Sequence, residues 1–158
     1  ELYAIFPYRL FGINKPNIKL AHQTFKHRQH RGSHGWYQDD TQAAFLGKTD
    51  QAQNYIVKRF RQHHDQSRFP AFWGPNFDWL PDQTHGGNGM MALQKMLIQT
   101  EDQKIILFPA WPQHWNVAFK LHAPLKTTVE GIYNKRKLEH LSVTPKVRFK
   151  DLTQMVPK

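Results

Sequence analysis

The sequence contains no cysteine, which excludes disulfides and thiolate chemistry and leaves the redox compartment open. Long hydrophobic runs are missing too. The longest apolar patches, Met90–Leu93 and Ile105–Ala110, fall far short of the ~20 residues that span a bilayer. No charged-then-apolar leader opens the chain. Acidic residues are scarce: 12 Asp and Glu stand against 22 Lys and Arg, for a formal net charge of +10. Such an excess would suit a nucleic-acid partner, but the cations are scattered. Lys15, Lys19, Lys26, Arg28 and Arg31 come early, Lys58, Arg59 and Arg61 sit mid-chain, and Lys135-Arg136-Lys137 make one short turn. No segment interleaves them with aromatics in a nucleic-acid-reading motif, so no nucleic-acid partner and no membrane span are expected.

A chain of 158 residues suffices for one domain of moderate core, or for the end of one domain and a small second one. It begins Glu1-Leu2-Tyr3 without an initiator Met and is expected to be a piece of something longer. Its character changes near Gln103. Before that point apolar residues recur at helical spacing, and after it they recur in the short β-branched and aromatic runs of strands. Asn17 is expected to cap a helix with the inner stripe Ile18, Ala21 and Phe25. A second helix is expected from about Asp40 to Gly47. Thr49 caps a third with Ala52, Ile56 and Phe60 inward and Lys58, Arg59 and Arg61 outward. A fourth starts near Asn88, and its Met90, Met91, Leu93, Met96, Leu97 and Ile98 go most of the way round, as in a helix buried on several sides. Short links between them suggest stacked helical hairpins. The C-terminal third reads as antiparallel strands over Lys104–Phe108, Val117–His122, Leu125–Tyr133, Lys137–Thr144 and Lys146–Lys150, with Asn134-Lys135-Arg136 as a hairpin turn.

The stretch from Phe69 to Gly89 is the most informative. It holds two Trp, three Phe, Asp78, Asp82 and Asn76 between Pro and Gly residues, then runs into an apolar helix. Aromatic faces stack on the C–H-rich faces of sugars, and carboxylates bind hydroxyls or move protons. A buried connector whose rings fill a core and whose acids cap helices is the alternative. Asp78 and Asp82 stand four residues apart, and glycoside hydrolysis needs two carboxyl groups ~5–9.5 Å apart across the scissile bond. A second polar-aromatic cluster, Trp36-Tyr37-Gln38-Asp39-Asp40, precedes a helix. Its acids are either N-caps or partners of the later loop in one cleft, if helical hairpins bring the two together.

Other constellations carry less. His27, His30 and His34 lack the Cys or carboxylate partners of a zinc site, so no metal is expected. His85-Gly86-Gly87-Asn88-Gly89 has no Lys-Ser/Thr after it, so close packing of loop and helix is the better account of its glycines. Ser33 lacks the Gly-x-Ser-x-Gly elbow of a nucleophilic serine. Trp111 and Trp115 are expected to pack where the helical and strand-rich parts meet.

The order of these segments resembles a known family. Leu2-Tyr3-Ala4-Ile5-Phe6-Pro7 is followed by Thr24-Phe25-x-x-Arg28, Gly35-Trp36, Leu46-Gly47-Lys48-Thr49-Asp50, the loop into Gly86-Gly87, Met96-Leu97-Ile98-Gln99, and Leu107-Phe108-Pro109-Ala110-Trp111-Pro112-x-x-Trp115. The series is similar to the C-terminal part of the α-L-fucosidases of glycoside hydrolase family 95 and related (α/α)6-toroid glycosidases. The resemblance implies a mixed α and β fold. Residues 1–103 would supply helical hairpins closing an (α/α)6 toroid, and residues 104–158 a small antiparallel β-domain. It also implies an inverting exo-glycosidase without cofactor, acting on oligosaccharides or polysaccharide side chains and secreted or periplasmic. The family's general base is an aspartate just before the Gly-rich start of a late helix. Matching the Gly-Gly pair puts Asp82 there, whereas matching Met-Leu-Ile-Gln puts Thr84 there. Asp82 is the nearest carboxylate. Trp36, Gln38, Asp39, Trp73, Asn76, Asp78, Trp79 and His85 are the expected sugar contacts. The family's general acid lies upstream of this chain, so the rest of the catalytic domain is an implied partner and the isolated chain is expected to be nearly inactive. A non-catalytic carbohydrate-binding or structural module is the competing expectation.

Overall fold

The computed structural model describes residues 1–33, 35–61 and 84–155, with the side chains of Thr84 and His85 outside the description. Four α-helices come first: α1 (Ile18–His27), α2 (Asp39–Phe45), α3 (Thr49–Arg61) and α4 (Thr84–Leu97). Strands follow as β1 (Ile98–Glu101), β2 (Lys104–Leu107), β3 (Val117–Ala123), β4 (Thr127–Asn134), β5 (Lys137–Thr144) and β6 (Leu152–Gln154), with a 3-10 helix over Lys146–Asp151 between the last two. They form two three-stranded sheets, β1-β2-β6 and β3-β4-β5.

Helix periodicity accounts for the helical half. Ala21 and Phe25 on α1, and Ala52 and Ile56 on α3, are buried as the i, i+4 spacing requires. Asn17 holds the expected N-cap position, but its backbone is left-handed and its side chain makes no capping hydrogen bond. Gly47, with φ +67, takes the left-handed position just beyond α2, where a residue without Cβ fits best. Helix α4 buries Ala92, Met96 and Leu97, but Met90 and Leu93 face solvent, so it is not buried on several sides. The apolar run then continues into β1, because Ile98 to Glu101 pair antiparallel with β2. The 103/104 division therefore falls in the turn of the β1–β2 hairpin.

The expected (α/α)6 toroid is not found among the described residues, which form a small α/β unit. The reason lies in the core. Phe45 of α2 and Met96 of α4 share one buried cluster with Leu107, Phe108 and Tyr133 of the strand-rich part. Apolar helix faces are thus covered by strands, where a toroid would cover them with an inner ring of helices. Helix α2 packs on both α3 and α4, and α3 packs on α4.

The sheets depart from a wholly antiparallel arrangement, because β6 pairs parallel with β2. Ile105, Ile106 and Leu107 are fully covered, as a continuously apolar strand should be. The β4–β5 hairpin turns through Lys135 and Arg136, both at positive φ, the geometry that matches strand twist in two-residue loops. Ile98 and Ile105 of one sheet meet Val129 and Val143 of the other. Residues 146–150, expected as a strand, are 3-10 helical. Pro145 has no N–H to continue a ladder, and Arg148 turns inward to bond Thr127 Oγ1 at 3.1 Å and the Gln103 carbonyl at 2.8 Å.

Candidate functional site

Segment 35–42 is where the described part of the site is built. Asp39 and Asp40 occupy the first turn of α2, and neither is its N-cap, which is Gln38. Each carboxylate instead faces an arginine from another helix or its flank. Asp39 Oδ1 accepts from Arg28 Nε at 2.6 Å and Nη2 at 2.5 Å. Arg28 spends its other donors on the Phe25 carbonyl and, at 2.6 Å, on the Tyr55 hydroxyl. Asp40 Oδ2 accepts from Arg59 Nε at 2.6 Å, while its Oδ1 accepts from the Thr41 N–H at 2.8 Å. Burial pushes both carboxyls upward against the pull of their arginines.

Arg59 lies outside the expectation that it points outward, for it is 0% exposed. At i+7 from Ala52 it continues the buried stripe of α3, and its charge is neutralised inside by Asp40. Its Nη1 donates to the Gly35 carbonyl at 3.3 Å and its Nη2 to the Tyr37 carbonyl. Asn88, one turn into α4, also donates to the Gly35 carbonyl at 3.3 Å. Segment 35–38 is therefore clamped onto the C-terminal end of α3 and the N-terminal end of α4. Gly89 lets the two helices meet at that clamp. A Cβ there would lie 2.7 Å from Phe60 Cζ and 2.9 Å from Arg59 Cδ.

Trp36 is 60% exposed. It borders a cavity of about 120 Å³ together with Tyr3, His30, Tyr37, Gln38 and Gln42. Asp39 reaches the wall of the same cavity, though its carboxylate is held by Arg28. Glu1 closes another side. Its Oε1 and Oε2 accept from the N–H groups of Gln29 and His30 at 3.0 and 2.9 Å, which hold its carboxyl below the usual value. An exposed indole beside amides and phenols can offer stacking and hydroxyl-directed hydrogen bonds.

Of the sequence-derived residues, Trp36, Gln38 and Asp39 are brought together at this cavity. Asp82, Trp73, Asn76, Asp78 and Trp79 lie outside the described residues, and His85 is described only as part of the first turn of α4. The buried Arg28 and Arg59 were missed as organisers of the site. The sequence did carry a sign of Arg59, an arginine in step with Ala52 and Ile56. Trp111 is buried and sets its ring edge-on to Trp115 at 5.5 Å, within the core shared by helices and strands. No helix among the described residues is long and apolar enough to cross a membrane.

No protein-family model matches this chain, and the search of curated proteins returns no match. The resemblance to family 95 glycosidases therefore rests on the ordered residues that carry it.

Proposed function

We propose that the chain belongs to an inverting exo-glycoside hydrolase, α-L-fucosidase-like in chemistry, acting on oligosaccharides or polysaccharide side chains outside the cytoplasm. The observation that supports this reading is the clamp at Gly35. Arg59 of α3 and Asn88 of α4 both hold its carbonyl, and the chain segment bearing Asp78 and Asp82 runs between those two helices. The cluster that carries Trp36, Gln38 and Asp39 is thus held at the two helices that the Asp78- and Asp82-bearing stretch joins in sequence.

In this reading Asp82 removes a proton from the attacking water, and a general acid from outside these residues protonates the leaving oxygen. Inverting enzymes hold two such carboxyls ~6.5–9.5 Å apart to leave room for the water. Trp36 offers an aromatic face to the sugar ring, and Gln38 offers its amide to hydroxyls, with Trp73, Asn76, Asp78, Trp79 and His85 as further contacts. Asp39 acts indirectly, by fixing the segment through Arg28. Positioned proton transfer contributes ~10²–10⁴-fold, so the chain without its acid binds sugar and cleaves it very slowly.

The test is glycan release by the full-length protein, with and without Asp82→Asn, across aryl glycosides and oligosaccharides. Turnover lost in the variant with binding retained supports the assignment. Unchanged turnover removes Asp82 from the mechanism. A folded full-length protein inactive on every sugar would replace the enzyme by a non-catalytic carbohydrate-binding module.

A further inference from the structure

A second concavity opens between α1 and α3. Its volume is about 480 Å³ and its walls include Lys26, Arg28, Arg31, Lys48, Gln51 and Tyr55. That volume falls within the ~300–1,000 Å³ of small-molecule sites. Among the described residues, four cationic side chains line it and no carboxylate does.

The four cations are not equivalent. Arg28 is neutralised by Asp39 and bonded to the Phe25 carbonyl and the Tyr55 hydroxyl, so it serves as a wall. Arg31 donates from Nε to the Arg28 carbonyl at 3.0 Å and from Nη2 to the Lys26 carbonyl at 2.7 Å. Those bonds fix the guanidinium without neutralising it, because a carbonyl carries no net charge. Lys48 sits 5.7 Å above the Phe25 ring, and neither it nor Lys26 makes an ion pair among the described residues. Three positive charges with no ion-pair partner among the described residues therefore converge on one cleft, whose walls concentrate the field. At the back, Tyr55 accepts from Arg28 Nη2 at 2.6 Å. Its own hydroxyl proton remains available to donate to a ligand oxygen.

The position of this cleft matters as much as its charge. Arg28 borders it, while Asp39, the partner of Arg28, borders the Trp36 cavity. The buried Arg28–Asp39 pair is thus a shared wall, with the aromatic-polar Trp36 cavity on one side and a cationic cleft on the other. Successive units of one ligand chain can occupy adjoining sites of this kind.

We propose that the cationic cleft binds the oxyanion group, sulfate ester or uronate carboxylate, of an acidic saccharide. The saccharide part rests on the proposed glycosidase reading, and the oxyanion part rests on Lys26, Arg31, Lys48 and Tyr55 alone. Charge-assisted hydrogen bonds from these groups supply the preference for an anion, and their partial exposure makes that preference sensitive to salt.

Isothermal titration of the full-length protein tests the proposal with five probes. These are an oligogalacturonide, a sulfated galactan oligosaccharide, a neutral galactan oligosaccharide of equal length, inorganic sulfate and a single-stranded oligonucleotide. At least one acidic saccharide is expected to bind about tenfold more tightly than the neutral one at low salt, an advantage that shrinks as salt shortens the Debye length. Joint substitution Lys26→Gln and Lys48→Gln is expected to remove most of that advantage and leave neutral binding unchanged. Equal affinity for acidic and neutral saccharides, or an advantage untouched by the two substitutions, overturns the proposal. Binding of the oligonucleotide or of bare sulfate as tight as that of the acidic saccharides also overturns it, and reassigns the cleft to simple anions or nucleic acid. The glycosidase reading fails separately. If full-length protein cleaves no sugar while the acidic preference and its dependence on Lys26 and Lys48 hold, the cleft stands and the enzyme does not.

Discussion

Arg59 Nε lies 2.6 Å from Asp40 Oδ2, and both side chains are 0% exposed. A charge pair so deeply buried is costly to assemble, and more costly to leave half-made. Removing the charge of Asp40 by Asp40→Asn leaves a guanidinium in the interior that still must reach the carbonyls of Gly35 and Tyr37. The expected loss is about 3–5 kcal/mol in urea-unfolding experiments. Joint replacement by apolar residues, Asp40→Leu with Arg59→Met, is expected to recover much of it. Equal losses in the single and double variants would show that packing, and not the unpaired charge, dominates.

Gly89 faces the same arginine from α4. An added methyl would press on Arg59 Cδ, whose guanidinium is held by Asp40 and the Gly35 and Tyr37 carbonyls, and on the Phe60 ring. Gly89→Ala is therefore expected to be destabilising by about 1–3 kcal/mol, the usual cost of overpacking, despite the better helix propensity of alanine. Thermal unfolding checks it. A variant as stable as the parent would mean that α3 and α4 separate readily at the clamp.

How far the sequence disclosed this arrangement follows from what periodicity can report. A spacing of four residues identified Ala21 with Phe25 and Ala52 with Ile56, and the continuous Ile105–Leu107 run identified a covered strand. The turn at Lys135 and Arg136 was equally legible. Periodicity failed where one apolar run serves two elements, as Met96-Leu97-Ile98 passes from helix to strand. It also failed over residues 146–150, where the apolar Val147 and Phe149 are exposed and Arg148 is buried. Long-range hydrogen bonds to Thr127 and Gln103 decide that inversion, and no local pattern encodes them. The same limit hid the site's framework. Trp36, Gln38 and Asp39 were recognised as a cluster, but the toroid was not found, Arg59 was read as outward-facing, and Arg28 was read only as one of the early cations. Their partners are 11 and 19 residues away in sequence, beyond any helical repeat.

Glu1 gives the site a pH dependence with a definite sign. The N–H groups of Gln29 and His30 hold its carboxyl below the ordinary value of 4.5. A carboxyl lowered in the folded state contributes stability that is present above its unfolded value and lost as pH falls through the folded one. The anchoring of residues 29–30 is therefore complete at neutral pH and released in acid. Amide NMR shifts of Gln29 and His30 should titrate together with a midpoint below 4.5, and Glu1→Gln should abolish that titration. A midpoint at or above 4.5 would mean that the two hydrogen bonds are not formed in solution.

Trp36 separates saccharide recognition from folding. Its ring is more than half exposed, whereas the framework beneath it is made by Asp39, Asp40 and their arginines. Trp36→Ala is expected to change stability by only about 0.5 kcal/mol, the range for surface positions. Loss of an aromatic stacking contact worth about 0.5–1.5 kcal/mol should weaken saccharide binding several-fold. Asp39→Asn should do the reverse and lower stability strongly, because Arg28 then lacks its carboxylate. Weakened binding in Trp36→Ala at unchanged unfolding midpoint assigns the ring to the ligand. Full binding in that variant would move the sugar site away from this cavity, and with it the link between the first aromatic cluster and the segment that carries Asp82.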